Sequence, residues 1–88
     1  MTERLPADAA RELAAEKRLL VKAEADIEAG WNRIRNQEDL LSSLQAAGEN
    51  TREAERLVHL MKQTVLEWER HRTLIEQRIA YLEYGPFP

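Results

Sequence analysis

Apolar residues recur through the second half of the chain at alternating steps of four and three positions, the spacing of a coiled-coil helix face. Arg72 alone interrupts this series. The other members are Ala54, Val58, Met61, Val65, Trp68, Ile75, Ile79 and Leu82. The first half of the chain carries two columns with seven-residue spacing, one bulky and one mostly small or polar. The bulky column is Leu13, Leu20, Ile27, Ile34 and Leu41, and its companion is Glu16, Ala23, Gly30, Gln37 and Leu44. We name these positions together the seam, and they predict two long helices that pack on each other.

Helix-breaking residues divide the chain at the points where these two patterns begin and end. Pro6 suits a first helical turn, and Gly48 suits the left-handed residue that ends a helix. Asn50 followed by Glu53 has the form of a capping box, and Gly85 with a following proline ends the second pattern. We therefore expect one domain over residues 1–88, with helix one at about 6–47, a turn at 48–50, helix two at about 51–84 and a tail at 85–88.

The sizes of the seam residues predict how the two helices pair. A turn centred on Glu49 places Gly30 opposite Trp68 and Ala23 opposite Ile75, so that large and small side chains alternate as close packing requires. The predicted fold class is therefore all-α, an antiparallel two-helix coiled-coil hairpin.

A second, weaker apolar stripe lies outside the seam. On helix two it contains Leu57, Leu60, Leu74 and Tyr81, and on helix one Leu19, Leu40 and Trp31 lie outside the main column. A second hairpin would cover these residues, so we expect a homodimer that forms a four-helix bundle, with a heterologous partner helix as the alternative. Parallel and antiparallel docking of two hairpins both bury the stripe. The candidate dimer or partner surface is Trp31, Leu57, Leu60, Leu74, Tyr81 and Phe87.

Two features allow more than one interpretation. Phe87 lies between two prolines, and it either folds back over the open end of the hairpin near Leu13 or extends into the aromatic-lined groove of a partner. Arg72 lies near Ile27 in the predicted seam. Its guanidinium either reaches Glu24, Asp26 or Glu28 of helix one while its stem packs, or it fixes the register or the choice of partner.

The composition limits the kinds of chemistry that the chain can perform. It has 88 residues, no cysteine and a net charge of −3, with 13 basic and 16 acidic residues interspersed. We therefore expect neither a disulfide nor a thiolate metal site, and no broad basic field to attract nucleic acid. Because the sequence shows neither a signal-peptide core nor a run of apolar residues that could cross a membrane, we expect a soluble, cytoplasmic protein without membrane contact.

Histidine and glutamate offer the one candidate set for metal binding. His59 and His71 each follow a glutamate by four residues, Glu55 and Glu67 respectively. The Glu-x-x-His spacing of bundle di-metal sites is absent, so we interpret these pairs as solvated contacts. No nucleophile–base pair or glycine-rich phosphate loop is present. We expect no cofactor and no enzymatic activity.

These observations favour a small non-enzymatic protein–protein interaction module, a scaffold, adaptor or regulator that acts as a homodimeric helical hairpin. One alternative is a nucleic-acid-binding accessory protein that uses the Arg70–Arg78 face, although glutamates interleave with its basic residues. The other is a dedicated chaperone or inhibitor of one larger partner, to which the hairpin lends its helices.

Overall fold

The computed structural model describes residues 6–85, and within that range it contains two α-helices and no strand. The first helix, α1, spans Pro6–Ala46, and the second, α2, spans Arg52–Tyr84. The two helices pack against each other along their length and form a rod with extents of 66 × 21 × 17 Å. The predicted two-helix hairpin is confirmed. Phe87 and the two prolines that flank it lie outside the described residues.

The turn between the helices is held by backbone hydrogen bonds at the end of α1. Gly48 adopts a φ of 71°, the left-handed conformation that costs glycine little. The N–H of Glu49 donates to the carbonyl of Leu44 at 2.9 Å, and the N–H of Gly48 donates to that of Gln45 at 3.1 Å. This is the Schellman arrangement, which satisfies carbonyls that the end of a helix would otherwise leave unpaired.

The start of α2 differs from the capping box that the sequence suggests. The side-chain oxygen of Asn50 accepts a hydrogen bond from the N–H of Arg52 at 3.0 Å, two residues ahead. Thr51 occupies the cap position without a side-chain capping bond. Asn50 therefore stabilises the turn before the helix, as short polar side chains do when they bond the backbone two residues on.

The core lies where the two seam columns meet. Five described hydrophobic residues are buried, and they are Ile27, Ile34, Val58, Val65 and Ile75. Gly30 is also buried, and the remaining seam residues are half-buried. The large apolar residues among them are Leu13, Leu20, Leu41 and Leu44 on α1 and Met61, Trp68, Ile79 and Leu82 on α2. Two helices can cover a seam side chain from only two sides, which explains why so few of these residues are fully enclosed.

Gly30 allows the two helices to approach closely at the centre of the rod. A Cβ atom at this position would lie 2.7 Å from Cγ2 of Val65 and 3.1 Å from the ring of Trp68. Both distances are shorter than ordinary van der Waals contact between carbon atoms, which is about 3.5–4.0 Å. The missing side chain therefore provides space for Val65 and the indole.

Trp31 is placed differently from the position that the sequence suggests. The sequence places it on the candidate dimer or partner surface, but it is half-buried and packs against the cluster of Ile27, Ile34 and Val65. Its indole N–H donates to a carboxylate oxygen of Glu69 at 3.4 Å. Trp31 follows Gly30 directly and therefore borders the seam, where its ring stabilises the hairpin itself.

Candidate interaction surface

One long edge of the hairpin is closed by polar contacts between the helices, and we name it the ion-pair edge. Lys17 pairs with Glu83 at 2.9 Å, and Lys62 pairs with Glu38 at 3.1 Å. The bond from Trp31 to Glu69 lies between these two pairs. The three contacts join both ends and the middle of the helices on the same side, and they occupy the surface there with charged groups.

The pair between Lys17 and Glu83 also changes the acidity of the glutamate. The hydrogen bond from Lys17, together with the positive charge of its ammonium group, holds the pKa of Glu83 below its ordinary value of 4.5. These effects outweigh partial desolvation, which acts in the opposite direction. The carboxylate of Glu83 is therefore stabilised in its charged form by the fold.

The opposite side of the hairpin carries large apolar side chains, and we name it the apolar face. Its members are Leu19, Leu40, Leu57, Leu60, Leu74 and Tyr81, each between 45% and 62% exposed. Leu60, Leu74 and Tyr81 are related by multiples of seven residues, and so are Leu19 and Leu40. Since seven residues are close to two helical turns, each set lies on one side of its helix.

Two shallow hollows on the apolar face show that both helices contribute to the same surface. One is lined by Leu19, Lys22, Ala23 and Asp26 of α1 and by Trp68, His71 and Ile75 of α2. The other is lined by Gly30 and Arg33 of α1 and by Met61, Thr64, Val65 and Trp68 of α2. The indole of Trp68 borders both hollows, so this face is continuous with the hydrophobic core.

Four polar residues that line these hollows continue the heptad columns of the apolar face, and the candidate surface predicted from the sequence does not include them. They are Asp26, Arg33, Thr64 and His71. The signal was present, because each lies seven residues from another residue of the same face. The predicted stripe contains apolar residues alone, so it does not include the polar residues of the same columns.

Not every exposed hydrophobic residue belongs to the apolar face. Val21, Leu66 and Tyr84 are 68%, 47% and 83% exposed, and they lie at heptad positions on other sides of their helices. Leu66, for example, is one residue past the buried Val65, which turns it about 100° away from the seam. Leu66 lines a hollow together with Leu60, but it projects from a different side of α2. Single exposed hydrophobic residues are common on protein surfaces.

Arg72 pairs within its own helix. Its Nε lies 4.0 Å from a carboxylate oxygen of Glu76, which is too far for a hydrogen bond, and its side chain is 33% exposed. Among the described residues this buried nitrogen has no hydrogen-bond partner. The expected contacts with Glu24, Asp26 or Glu28 of helix one do not form. Glu76 lies one turn along on the same helix, so the guanidinium meets it without crossing the seam.

The basic residues of the Arg70–Arg78 face are engaged with acidic neighbours. Arg70 forms an ion pair with Glu67 one turn earlier. Arg78 crosses the hairpin to pair with Glu16 of α1 at 3.0 Å. Both guanidiniums are partly neutralised by these carboxylates, which weakens the attraction of this face for phosphate groups.

The described residues do not bring together a set of side chains with evident chemical reactivity. Across residues 6–85, no group of three or more histidine, aspartate or glutamate side chains is close enough to hold a metal ion. In the same range, neither helix has a segment long and apolar enough to cross a membrane.

No protein-family model matches the chain, and no curated protein or solved structure is significantly similar to it.

Proposed function

We propose that this chain is a non-enzymatic protein–protein interaction module, a scaffold, adaptor or regulator, which buries its apolar face in a homodimeric four-helix bundle. The observation that supports this proposal is the distribution of side chains between the two sides of the rod. One side carries six large apolar residues and the edge of Trp68, whereas the other is closed by contacts such as that between Lys17 and Glu83. An extended apolar surface bordered by polar residues is typical of a protein contact site.

The thin core gives a second reason for burial against a partner. Among the 80 described residues, five hydrophobic side chains are buried, and the central cluster of these contains Ile27, Ile34 and Val65. Small domains bury a low fraction of their surface and often gain stability by association. Covering the apolar face would enclose Trp68 and Met61, which the hairpin leaves half-exposed.

The proposal is tested by sedimentation equilibrium over a wide range of protein concentrations. We expect a dimer that Leu74→Glu dissociates. Burying a leucine contributes about 1.5–3 kcal/mol, and each dimer loses two such contacts, so the dissociation constant should rise by about a hundredfold or more. Leu66→Glu is the matched control, because Leu66 is an exposed leucine of the same helix outside the apolar face.

The outcomes separate the proposal from its alternative. A wild-type chain that remains monomeric throughout would contradict the homodimer and favour the dedicated partner, a chaperone or inhibitor that waits for one larger protein. A dimer that is weakened equally by Leu74→Glu and Leu66→Glu would show that the apolar face is not the contact surface.

A further inference from the structure

Charged and apolar residues of the apolar face are arranged symmetrically about a point of α1 between Ala29 and Gly30. Asp26 lines one hollow and Arg33 lines the other, on either side of Trp68. Leu19 lies seven residues before Asp26, and Leu40 lies seven residues after Arg33. The midpoint of both pairs falls at Ala29 and Gly30. An acidic and a basic residue are thus equidistant from the centre, with a leucine beyond each.

α2 shows a related arrangement about its own middle. Glu67 and His71 lie on either side of Glu69, and Leu57 and Tyr81 lie twelve residues before and after it. The bond between Trp31 and Glu69 and the close approach of Gly30 to Trp68 place this centre at the same level along the rod as that of α1. The two patterns therefore share one centre.

A two-fold axis that crosses a helix places each residue opposite the residue that lies equally far beyond the axis on the second copy. Asp26 would then face Arg33, and Leu19 would face Leu40. We propose that a second copy of this chain covers the apolar face, turned end for end about a two-fold axis that crosses the rod at the level of Ala29 and Glu69. In this arrangement α1 packs antiparallel to α1 of the second copy, and α2 packs on α2. The inference rests on the proposed function and names its partner and geometry.

The antiparallel arrangement pairs opposite charges in the centre of the interface and apolar groups towards its ends. Asp26, which pairs with Lys22 of its own chain, meets Arg33 of the second copy. Glu67, which pairs with Arg70 of its own chain, meets the imidazole of His71, which can donate a hydrogen bond. The outer contacts join Leu19 with Leu40 and Leu57 with Tyr81. Each contact occurs twice because of the symmetry.

The remaining apolar residues also fit this axis. Leu74 meets Thr64 of the second copy, which presents a methyl group. Leu60 meets the aliphatic stem of Arg78, whose guanidinium is held by Glu16 of its own chain. Apolar surface is therefore covered at these positions as well.

The alternative axis runs along the rod and places both turns at the same end. α1 would then pack on α2 of the second copy. Leu74 would lie between Lys22 and Asp26, and Leu19 would lie against Arg78. By the same register Leu40 would meet Leu57, but Asp26 and Arg33 would lie opposite His71 and Thr64 and would not pair with each other. The axis across the rod is favoured because it brings Asp26 against Arg33 of the second copy.

Single-cysteine variants distinguish the two axes, because the chain has no cysteine of its own. Ala29 is exposed and lies beside the proposed axis, so Ala29→Cys faces its own counterpart and should form an intermolecular disulfide under mild oxidation. Ala15→Cys is the matched control, since Ala15 lies fourteen residues away on the same side of α1. We expect the Ala29→Cys disulfide to form at least about tenfold faster than that of Ala15→Cys.

A mixture of variants provides a second geometric test. Ala15 and Ser43 are equidistant from Ala29 on the same side of α1 and both are exposed. Ala15→Cys mixed with Ser43→Cys should therefore cross-link as a heterodimer more readily than either variant alone. Under the axis along the rod, these two positions do not meet.

Charge exchange tests the central contact independently of cross-linking. Asp26→Arg sets two guanidiniums against each other across the axis, and Arg33→Asp sets two carboxylates against each other. Each single variant should weaken the dimer by at least about tenfold, and the double variant D26R/R33D should restore most of the affinity. Both residues are exposed, so the substitutions leave the hairpin core intact.

The results distinguish this inference from the proposed function. A dimer that Leu74→Glu dissociates, but that Ala29→Cys does not cross-link and D26R/R33D does not rescue, would overturn the axis while the proposed function stands. A chain that stays monomeric in sedimentation would overturn both. Rapid cross-linking of Ala29→Cys together with rescue by the double variant would establish the antiparallel pair.

Discussion

At the scale of single residues, the closest packing in the hairpin occurs where a side chain is missing. Helix propensity disfavours glycine in the middle of a helix by about 1 kcal/mol relative to alanine. Gly30 nevertheless occupies the centre of α1, because a Cβ there would lie 2.7 Å from Val65. Val65 is buried and its branched side chain has few rotamers, so it cannot easily turn away from the added atom. Steric fit therefore outweighs propensity at this position.

We expect Gly30→Ala to destabilise the hairpin by about 1–2 kcal/mol, because the cost of overpacking exceeds the gain in helix propensity. The measurement is urea-induced unfolding followed by circular dichroism. In a Val65→Ala background the nearest obstructing methyl group is absent, and there Gly30→Ala should be neutral or stabilising. An equal loss of stability in both backgrounds would contradict the contact as the cause.

The contact between Lys17 and Glu83 predicts a local dependence on pH. The pKa of Glu83 is lowered in the folded state, so the contribution of this carboxylate to stability is present above its ordinary value of 4.5. The contribution is lost as the pH falls through the lowered folded value. Lys17→Met should therefore reduce the free energy of unfolding near neutral pH, and the difference from wild type should disappear under acidic conditions.

The titration of Glu83 itself can be followed by carboxyl NMR. The midpoint should lie below 4.5 in the wild-type chain and move upward in Lys17→Met. Lys22→Met is the control, because Lys22 pairs with Asp26 within α1 and does not contact Glu83. If Glu83 titrated with the same midpoint in the wild type and in Lys17→Met, the ion pair between Lys17 and Glu83 would be contradicted.

At the scale of the helices, the turn residue Gly48 determines how α1 ends. Its φ of 71° is unfavourable for residues with a Cβ, and a Cβ added there would meet nothing within 4 Å. We therefore expect Gly48→Ala to lower the free energy of unfolding by about 1–2 kcal/mol, because alanine disfavours the left-handed conformation. Gly48→Asn should cost less, since asparagine tolerates this region better than alanine. Thermal unfolding measures both variants, and equal losses would argue against the left-handed conformation.

The sequence predicts the helices and their pairing well because both depend on repeated signals. Seam residues such as Ile34 and Val65 recur every seven positions, so the inward side of each helix is determined many times over. Features that depend on one flexible or neighbouring side chain are less predictable. Asn50 and Thr51 can each precede a helix, and their adjacent positions compete for the cap. Arg72 has acidic residues within reach on both helices, so its partner depends on local geometry.

The candidate surface could be predicted in part for the same reason. The spacing of Leu57, Leu60, Leu74 and Tyr81 predicts that they share a side of α2, and the structure leaves all four about half exposed or more. Trp31 could not be placed by spacing alone, because it borders the seam and a large ring can turn either inward or outward. The polar residues between the leucines, such as Asp26 and Arg33, line hollows that both helices form, so their place on this face depends on how the helices pack.

At the scale of the whole molecule, the shape of the rod makes its association measurable by small-angle X-ray scattering. The hairpin has a Cα radius of gyration of 19.6 Å, which its 66 Å length dominates. Packed helix layers are separated by about 8–10 Å, so a fully overlapping second copy moves each centre of mass only about 5 Å from the common axis. We therefore expect the scattering mass to double while the radius of gyration increases by about 1 Å or less. Leu74→Glu is the monomeric reference. An end-to-end pair would have roughly double the length and a far larger radius of gyration, and that result would contradict burial of the apolar face along the whole rod.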